Sequence, residues 1–175
     1  MNVLQYWFKN ARYRSLAQSV MPAVLAAVMA SRNEGFIWWT ALLAIVGVAM
    51  AHLAMNLADD WFDYRVDMLG DRDKVTRQGF RAMMVKYPYL SSGEQSLKST
   101  AVAIAAFLAV ALGCGVAIWW KMGFDWKIPA IVAACGFLGA FYSAPPLKLA
   151  YRGLGELVIG IIFGPLLMSG VYLAT

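Results

Sequence analysis

Five apolar stretches, at roughly residues 15–31, 36–58, 99–120, 128–144 and 154–174, take up most of this 175-residue chain. Each is near the ~20 residues that a helix needs to cross the hydrocarbon core of a bilayer. A water-soluble domain cannot bury so much apolar surface: 61% of the residues are hydrophobic and 14% are charged, against about 25% charged in an ordinary soluble domain. Lipid offers the backbone no hydrogen-bond partners, so the stretches are expected as helices that satisfy their own N–H and C=O groups. The expected fold is an all-α, polytopic transmembrane helix bundle, one domain over residues 1–175. The opening residues, MNVLQYWFKNARYR, hold aromatic and basic side chains but no short apolar core followed by a small-residue cleavage site. They read as a retained interfacial segment leading into the first span.

The segment from Asp59 to Lys98 is polar and holds Gly70, Gly79, Pro88 and Ser91-Ser92-Gly93, so it is expected as a large loop on one side. Placing it with the N-terminus gathers Lys9, Arg12, Arg14, Arg65, Arg72, Lys74, Arg77, Arg81, Lys86, Lys98, Lys148 and Arg152 on one face. That leaves Arg32, Lys121 and Lys127 on the other. By the positive-inside rule the side with twelve of the fifteen basic residues is cytoplasmic. This bias accounts for the net charge of +5, and no basic stripe interleaved with aromatics points to nucleic acid. Trp38-Trp39 and Trp119-Trp120 fit an aromatic belt at the opposite interface. Cys114 and Cys135 lie in apolar runs without C-x-x-C spacing and read as small core residues. No internal repeat is visible.

The chemistry-bearing pattern follows the second apolar stretch: Asn56-Leu-Ala-Asp59-Asp60-Trp-Phe-Asp63-Tyr-Arg-Val-Asp67. At about 100° per residue, positions 56, 60, 63 and 67 fall within roughly 60° of one another on a helix, with Asp59 beside them and Arg65 opposite. The acids have no basic partner on their own face. At a helix C-terminus the dipole also disfavours negative charge, by ~0.3–1 kcal/mol per group. Something cationic is needed there, and a divalent metal is the simplest candidate; the other reading is a solvated, acidic helix exit. Magnesium takes oxygen ligands, keeps waters, and uses one or two carboxylates together with substrate phosphates. Lys74 and Arg77 are placed to meet remaining phosphate oxygens, or are ordinary positive-inside charges.

A second stretch on the same face is Tyr142-Ser-Ala-Pro145-Pro146-Leu-Lys148-Leu-Ala-Tyr151-Arg152-Gly-Leu-Gly155-Glu156. Adjacent prolines break a helix, so a turn between two spans is expected. Tyr142, Lys148, Tyr151 and Arg152 crowd around it, and aromatic rings stabilise cations while basic groups hold anions. Glu156 stands at the start of an apolar run, as a functional candidate or as an i, i+4 partner of Arg152. His52, one turn before Asn56, reads as a satisfied packing residue rather than a base.

With these residues in hand, Asp59-Asp60-Trp-Phe-Asp63-Tyr-Arg-Val-Asp67 resembles the first aspartate-rich motif, N-D-x-x-D-x-x-x-D, of the UbiA superfamily of intramembrane prenyltransferases. Asn56-Leu-Ala, Tyr142-Ser-Ala-Pro-Pro-Leu-Lys-Leu, Gly153-Leu-Gly-Glu156 and Phe163-Gly-Pro165 resemble its 1,4-dihydroxy-2-naphthoate prenyltransferase (MenA-like) branch. Asp59 stands where the family has asparagine, and the loop from Val75 to Leu90 looks longer than usual, so Arg81 and Lys86 receive no phosphate role. The resemblance implies a nine-helix fold of which about five spans are present. It also implies a Mg2+-dependent reaction: an isoprenyl diphosphate, bound through magnesium to two aspartate motifs, ionises to an allylic cation that alkylates an aromatic acceptor of the menaquinone pathway. Carried onto this sequence, the metal ligands are Asp59, Asp60, Asp63 and Asp67, of which Asp63 and Asp67 are catalytic with Tyr142. Asn56, Lys74, Arg77, Lys148 and Arg152 bind substrate. The partners implied are the isoprenyl diphosphate, the acceptor and the lipid bilayer, and the expected place is a bacterial inner (cytoplasmic) membrane.

Two other classes compete. CDP-alcohol phosphotransferases carry D-x-x-D-G-x-x-A-R, where this chain has Tyr64-Arg65 after Asp63. A cation-binding or transport protein would spread acids over several spans, whereas six of the ten acidic residues fall between Asp59 and Asp73. After Asp73 the acids are Glu94, Asp125 and Glu156, too scattered for a second aspartate motif. The expectation is that these residues are the N-terminal portion of a longer enzyme and are inactive alone; the alternative is a half-size protein that completes its site by dimerising.

Overall fold

In a computed structural model, residues 2–67 and 87–175 are described, with the backbone alone at positions 66 and 67. All regular structure among them is helical. Helix α1 (Val3–Asn10) opens with a reciprocal cap, in which Asn2 Oδ1 accepts from the Gln5 amide at 2.8 Å and Gln5 Oε1 accepts from the Asn2 amide. Arg12 then turns the chain in the left-handed region (φ 59°, ψ 49°), and a 3-10 turn over Tyr13–Leu16 leads into α2 (Ala17–Ala30). Helix α3 runs from Trp38 to Asp67 without a break. A single turn, α4 (Pro88–Ser91), precedes α5 (Leu97–Lys121), which is capped by a Ser96–Ser99 box. Helix α6 (Lys127–Ser143) ends at the double-proline turn, and a 3-10 turn (Leu149–Arg152) leads to α7 (Gly155–Ile161) and α8 (Leu167–Leu173).

All five expected apolar stretches are helical. Among the described residues, three helical runs are long and apolar enough to cross a membrane: Trp38–Arg65, Leu97–Lys121 and Gly155–Leu173. The other two are shorter: α2 has 14 residues and α6 has 17, which at 1.5 Å per residue gives ~21 and ~26 Å, less than a ~30 Å hydrocarbon core. The acidic end, expected at the edge of a loop beginning at Asp59, is the continuation of the α3 helix to Asp67. Its 30 residues span ~45 Å, enough to carry the acids past the hydrocarbon region. The last span is also interrupted, by a π-helical segment over Ile162–Leu166 in which Gly164 is non-helical (φ −85°, ψ −106°). Pro165 has no N–H to give the preceding turn, and its ring crowds that turn's carbonyl, so a kink follows.

Small residues set the closest helix contacts. Ser19, Ala23, Ala26, Ala27 and Ala30 are buried along α2, and such residues let membrane helices approach. Gly47 of α3 fits against α5 so tightly that an added Cβ would lie 3.2 Å from Cys114 Cβ. One core cluster joins Ala23, Ala26, Ala41, Ala44, Ile118, Leu167 and Val171. The other lies under the acidic end and joins Ala11, Leu53, Ala54, Leu57, Tyr87, Tyr89, Leu90 and Phe107. Tyr87 to Leu90, expected within a loop, are thus an apolar plug against α3. The outward faces carry Val102, Leu112, Val116, Trp38, Trp120 and Trp126 in exposed positions, as lipid contact and an aromatic belt require.

Candidate active site

The acidic end of α3 is gripped from two sides. On one side the turn after α1 brings Arg12 onto it: the guanidinium pairs with Asp60 and lies 3.9 Å from Asp59 Oδ2. The Tyr89 hydroxyl donates to the other Asp60 oxygen at 3.1 Å. Asp60 is fully buried, so a charge here demands partners, and both of its oxygens have one. Burial and the adjacent Asp60 carboxylate push the Tyr89 hydroxyl well above the ordinary tyrosine range, which keeps it a donor. Among the described residues, Arg12 supplies a cation that the helix face itself lacks. Its charge was legible, but only as one of many on that side of the membrane; its approach across 48 residues has no local signature.

On the other side α6 and the double-proline turn supply hydroxyls. Ser143 donates to Asp59, and Tyr151 donates to Asp63. The two stretches singled out in the sequence therefore meet. The Pro145-Pro146 peptide is cis. Lys148 follows it with a positive φ of 44°, half-buried, and its amide donates to the Ala144 carbonyl at 3.0 Å. Arg152 is exposed and its Nη2 donates to the Pro146 carbonyl at 3.3 Å. Tyr142 packs against the start of α7, where a Cβ added at Gly155 would lie 3.2 Å from the tyrosine hydroxyl. Glycine there lets the tyrosine lie close against the backbone.

The remaining candidates separate. The Asn56 amide donates to the Ala11 carbonyl at 2.9 Å and to Ser15 Oγ at 3.0 Å, so it ties α3 to the turn that carries Arg12. Glu156 is exposed. Lys74, Arg77 and the Asp67 side chain lie outside the described residues. Ser143 and Tyr89 were missed by the sequence reading, and a serine or tyrosine with no acid near it in the chain gives no signal of this kind.

The donor set suits a hard divalent ion. Asp59 and Asp63 stand one helical turn apart, all their ligand atoms are oxygen, and hydroxyls orient both carboxylates as outer partners orient metal ligands. Among the described residues no three His, Cys, Asp or Glu side chains converge into a ready cage. Two carboxylates completed by phosphate oxygens and water is the arrangement magnesium uses at phosphate sites.

Residues 19–175 match the UbiA prenyltransferase family. The chain is 27% identical over 166 residues to 1,4-dihydroxy-2-naphthoate octaprenyltransferase of Mycobacterium tuberculosis, covering 94% of this chain and 52% of that protein. It is 44% identical over 48 residues to 2-carboxy-1,4-naphthoquinone phytyltransferase of Synechocystis, covering 27% of this chain and 16% of that protein. Against 1,4-dihydroxy-2-naphthoate octaprenyltransferase of Bacillus subtilis it is 24% identical over 161 residues, or 91% of this chain and 48% of the relative. No solved structure matches the chain. The chain spans about half the length of the naphthoate octaprenyltransferases that it matches. With the family match extending over nearly the whole of an all-helical, span-bearing fold, this integral membrane chain belongs to the UbiA prenyltransferase family.

Proposed function

We propose that this chain carries the magnesium-diphosphate side of a prenyltransferase site, for transfer of an isoprenyl group from an allylic diphosphate to a naphthoate-type aromatic acceptor. The observation that carries this reading is the meeting of Asp59 and Asp63 with Ser143 and Tyr151, which joins an oxygen-ligand turn to a basic, aromatic turn. Asp59, Asp63 and Asp67 are the ligand set, with Asp60 held beside them as the counter-ion of Arg12. Magnesium bound there supplies charge stabilisation to the leaving diphosphate.

The other residues bind and orient. Lys74, Arg77, Lys148 and Arg152 hold diphosphate oxygens, since guanidinium and ammonium donors match them. The Tyr142 and Tyr151 rings face the carbon from which the diphosphate departs, where a ring's negative face favours developing positive charge. In the reaction the allylic C–O bond breaks with its electron pair leaving on the diphosphate, and a C–C bond forms to the acceptor ring. The substituent on that ring carbon departs as a proton or, from a carboxylate, as carbon dioxide. The second aspartate motif of the family has no counterpart between Asp73 and Thr175. Its half of the clamp would come from a further segment or a second copy. The site faces the cytoplasm on the charge-bias argument.

The test is binding. The detergent-purified chain should retain an allylic diphosphate saturably in the presence of Mg2+ and release it on chelation. Retention that is indifferent to chelation, or absent with every divalent ion, refutes the proposal.

A further inference from the structure

The single histidine of the chain lies outside the acid cluster, yet one of its hydrogen bonds leads through Ser15 to Arg12. His52 is buried in α3 and stacks on Phe163 of the kinked last span, with ring centroids 5.2 Å apart and planes 22° apart. Its Nε2 is 3.1 Å from Ser15 Oγ and its Nδ1 is 2.7 Å from Ser19 Oγ. The Ser15 hydroxyl spends its one hydrogen on the Arg12 carbonyl, at 2.8 Å. The same oxygen accepts from the Asn56 amide at 3.0 Å. A hydroxyl has one donor and two acceptor positions; with its hydrogen on the Arg12 carbonyl, Ser15 accepts from the ring and Nε2 carries the hydrogen. Nδ1 then accepts from Ser19, whose other option, the Leu16 carbonyl, is longer at 3.3 Å.

From this closed count we infer that His52 is a positioning residue, fixed as the Nε2–H tautomer, that holds the Ser15–Arg12 turn against the acidic end of α3. Arg12 sits in the left-handed region, which disfavours residues with a Cβ. Its carbonyl is anchored by Ser15, and the preceding carbonyl, of Ala11, is anchored by Asn56 at 2.9 Å. Ser15 is in turn saturated by His52. The Ser15 amide also donates to the Arg12 carbonyl, at 2.8 Å, so removing the ring's hydrogen bonds loosens the turn rather than freeing it, and lets the guanidinium shift relative to Asp59 and Asp60. The inference rests on the reading of the acids as a magnesium-diphosphate site. It adds a residue that touches neither metal nor substrate.

The experiment pairs a spectroscopic signature with affinity for inorganic pyrophosphate and Mg2+. In the detergent-purified chain labelled with 15N-histidine, the one imidazole should give the Nε2–H pattern, and Ser15→Ala should convert it to Nδ1–H, with Ser19 as the new acceptor. His52→Phe keeps the stack on Phe163 and loses both bonds; it should weaken magnesium-pyrophosphate binding fivefold or more. His52→Gln places an amide donor toward Ser15 and should restore binding to within twofold. An Nδ1–H ring in the unaltered chain overturns the inference whatever the affinity. So does His52→Phe binding as the unaltered chain binds. Equal loss in His52→Phe and His52→Gln would mean bulk packing alone and also overturns it. If the unaltered chain binds no magnesium-pyrophosphate, the reading of the acids fails and takes this inference with it.

Discussion

Arg12 and Asp60, 48 residues apart in the chain, form an ion pair in which the carboxylate is fully buried and the guanidinium keeps part of its water. The pair links the segment before the first span to the far end of the longest helix. Among the described residues, it gives the acidic face a cation from the protein itself. Metal binding therefore has to be judged against a face already partly neutralised.

Loss of that cation should be costly. Arg12→Gln leaves Asp60 buried with the Tyr89 hydroxyl as its remaining described donor. Breaking a buried pair costs ~3–5 kcal/mol; partial exposure of Arg12 lowers this to roughly 2 kcal/mol. The double variant Arg12→Gln, Asp60→Asn removes the stranded charge and should recover most of the loss. Thermal unfolding in detergent reads both, and a double variant no more stable than Arg12→Gln would show that the charge on Asp60 is not the issue.

The acids themselves should divide. Asp63→Asn and Asp67→Asn should each cut Mg2+-dependent diphosphate binding at least tenfold, and turnover in an active assembly ~10²-fold or more, the scale for one strong contact to developing charge. Asp59→Asn should be mild, because asparagine is the family's residue at that position and still accepts from Ser143. An Asp59→Asn loss equal to that of Asp63→Asn would mean that this chain depends on its additional carboxylate.

How much of this was legible depends on the range of the physics. The five apolar stretches are continuous local runs, and the shared face of Asn56, Asp60, Asp63 and Asp67 is a local pattern with a period of 3.6 residues; they appear as helices and as one helix end. The meeting of the double-proline turn with the acids was legible only as two candidate stretches on one side of the membrane. Arg12 was invisible as a site residue because an ion pair across 48 residues leaves no mark in either segment. The plug formed by Tyr87, Tyr89 and Leu90 was hidden by the polar residues around it, which dominate any windowed hydropathy. The break at Gly164-Pro165 was present in the letters, yet the surrounding apolar run read as one span.

Gly155 offers a probe of Tyr142 that leaves the tyrosine in place. An added Cβ would lie 3.2 Å from the Tyr142 hydroxyl and 3.5 Å from Ala150 Cα. Gly155→Ala should be absorbed by a shift of a few tenths of an ångström, whereas Gly155→Val must push the ring away. If Tyr142 faces the departing carbon, the valine variant should lose turnover while keeping magnesium-pyrophosphate affinity, since the acids are held by Ser143 and Tyr151 instead. Parallel loss of both would place Tyr142 in the diphosphate site rather than beside the prenyl carbon.

The side of the membrane on which all this happens can be read at Ser92, an exposed residue at the end of α4. The same turn presents Tyr89 to Asp60, so its sidedness is the sidedness of the acids. Twelve of the fifteen basic residues fall on that face in the five-span arrangement, from which the positive-inside rule predicts a cytoplasmic face. Ser92→Cys, in a chain whose free Cys114 and Cys135 are replaced by alanine, should resist an impermeant thiol reagent applied to intact cells. It should react once the membrane is opened. Labelling of intact cells at the rate seen in opened ones would invert the topology, and with it the compartment from which a diphosphate reaches Asp59 and Asp63.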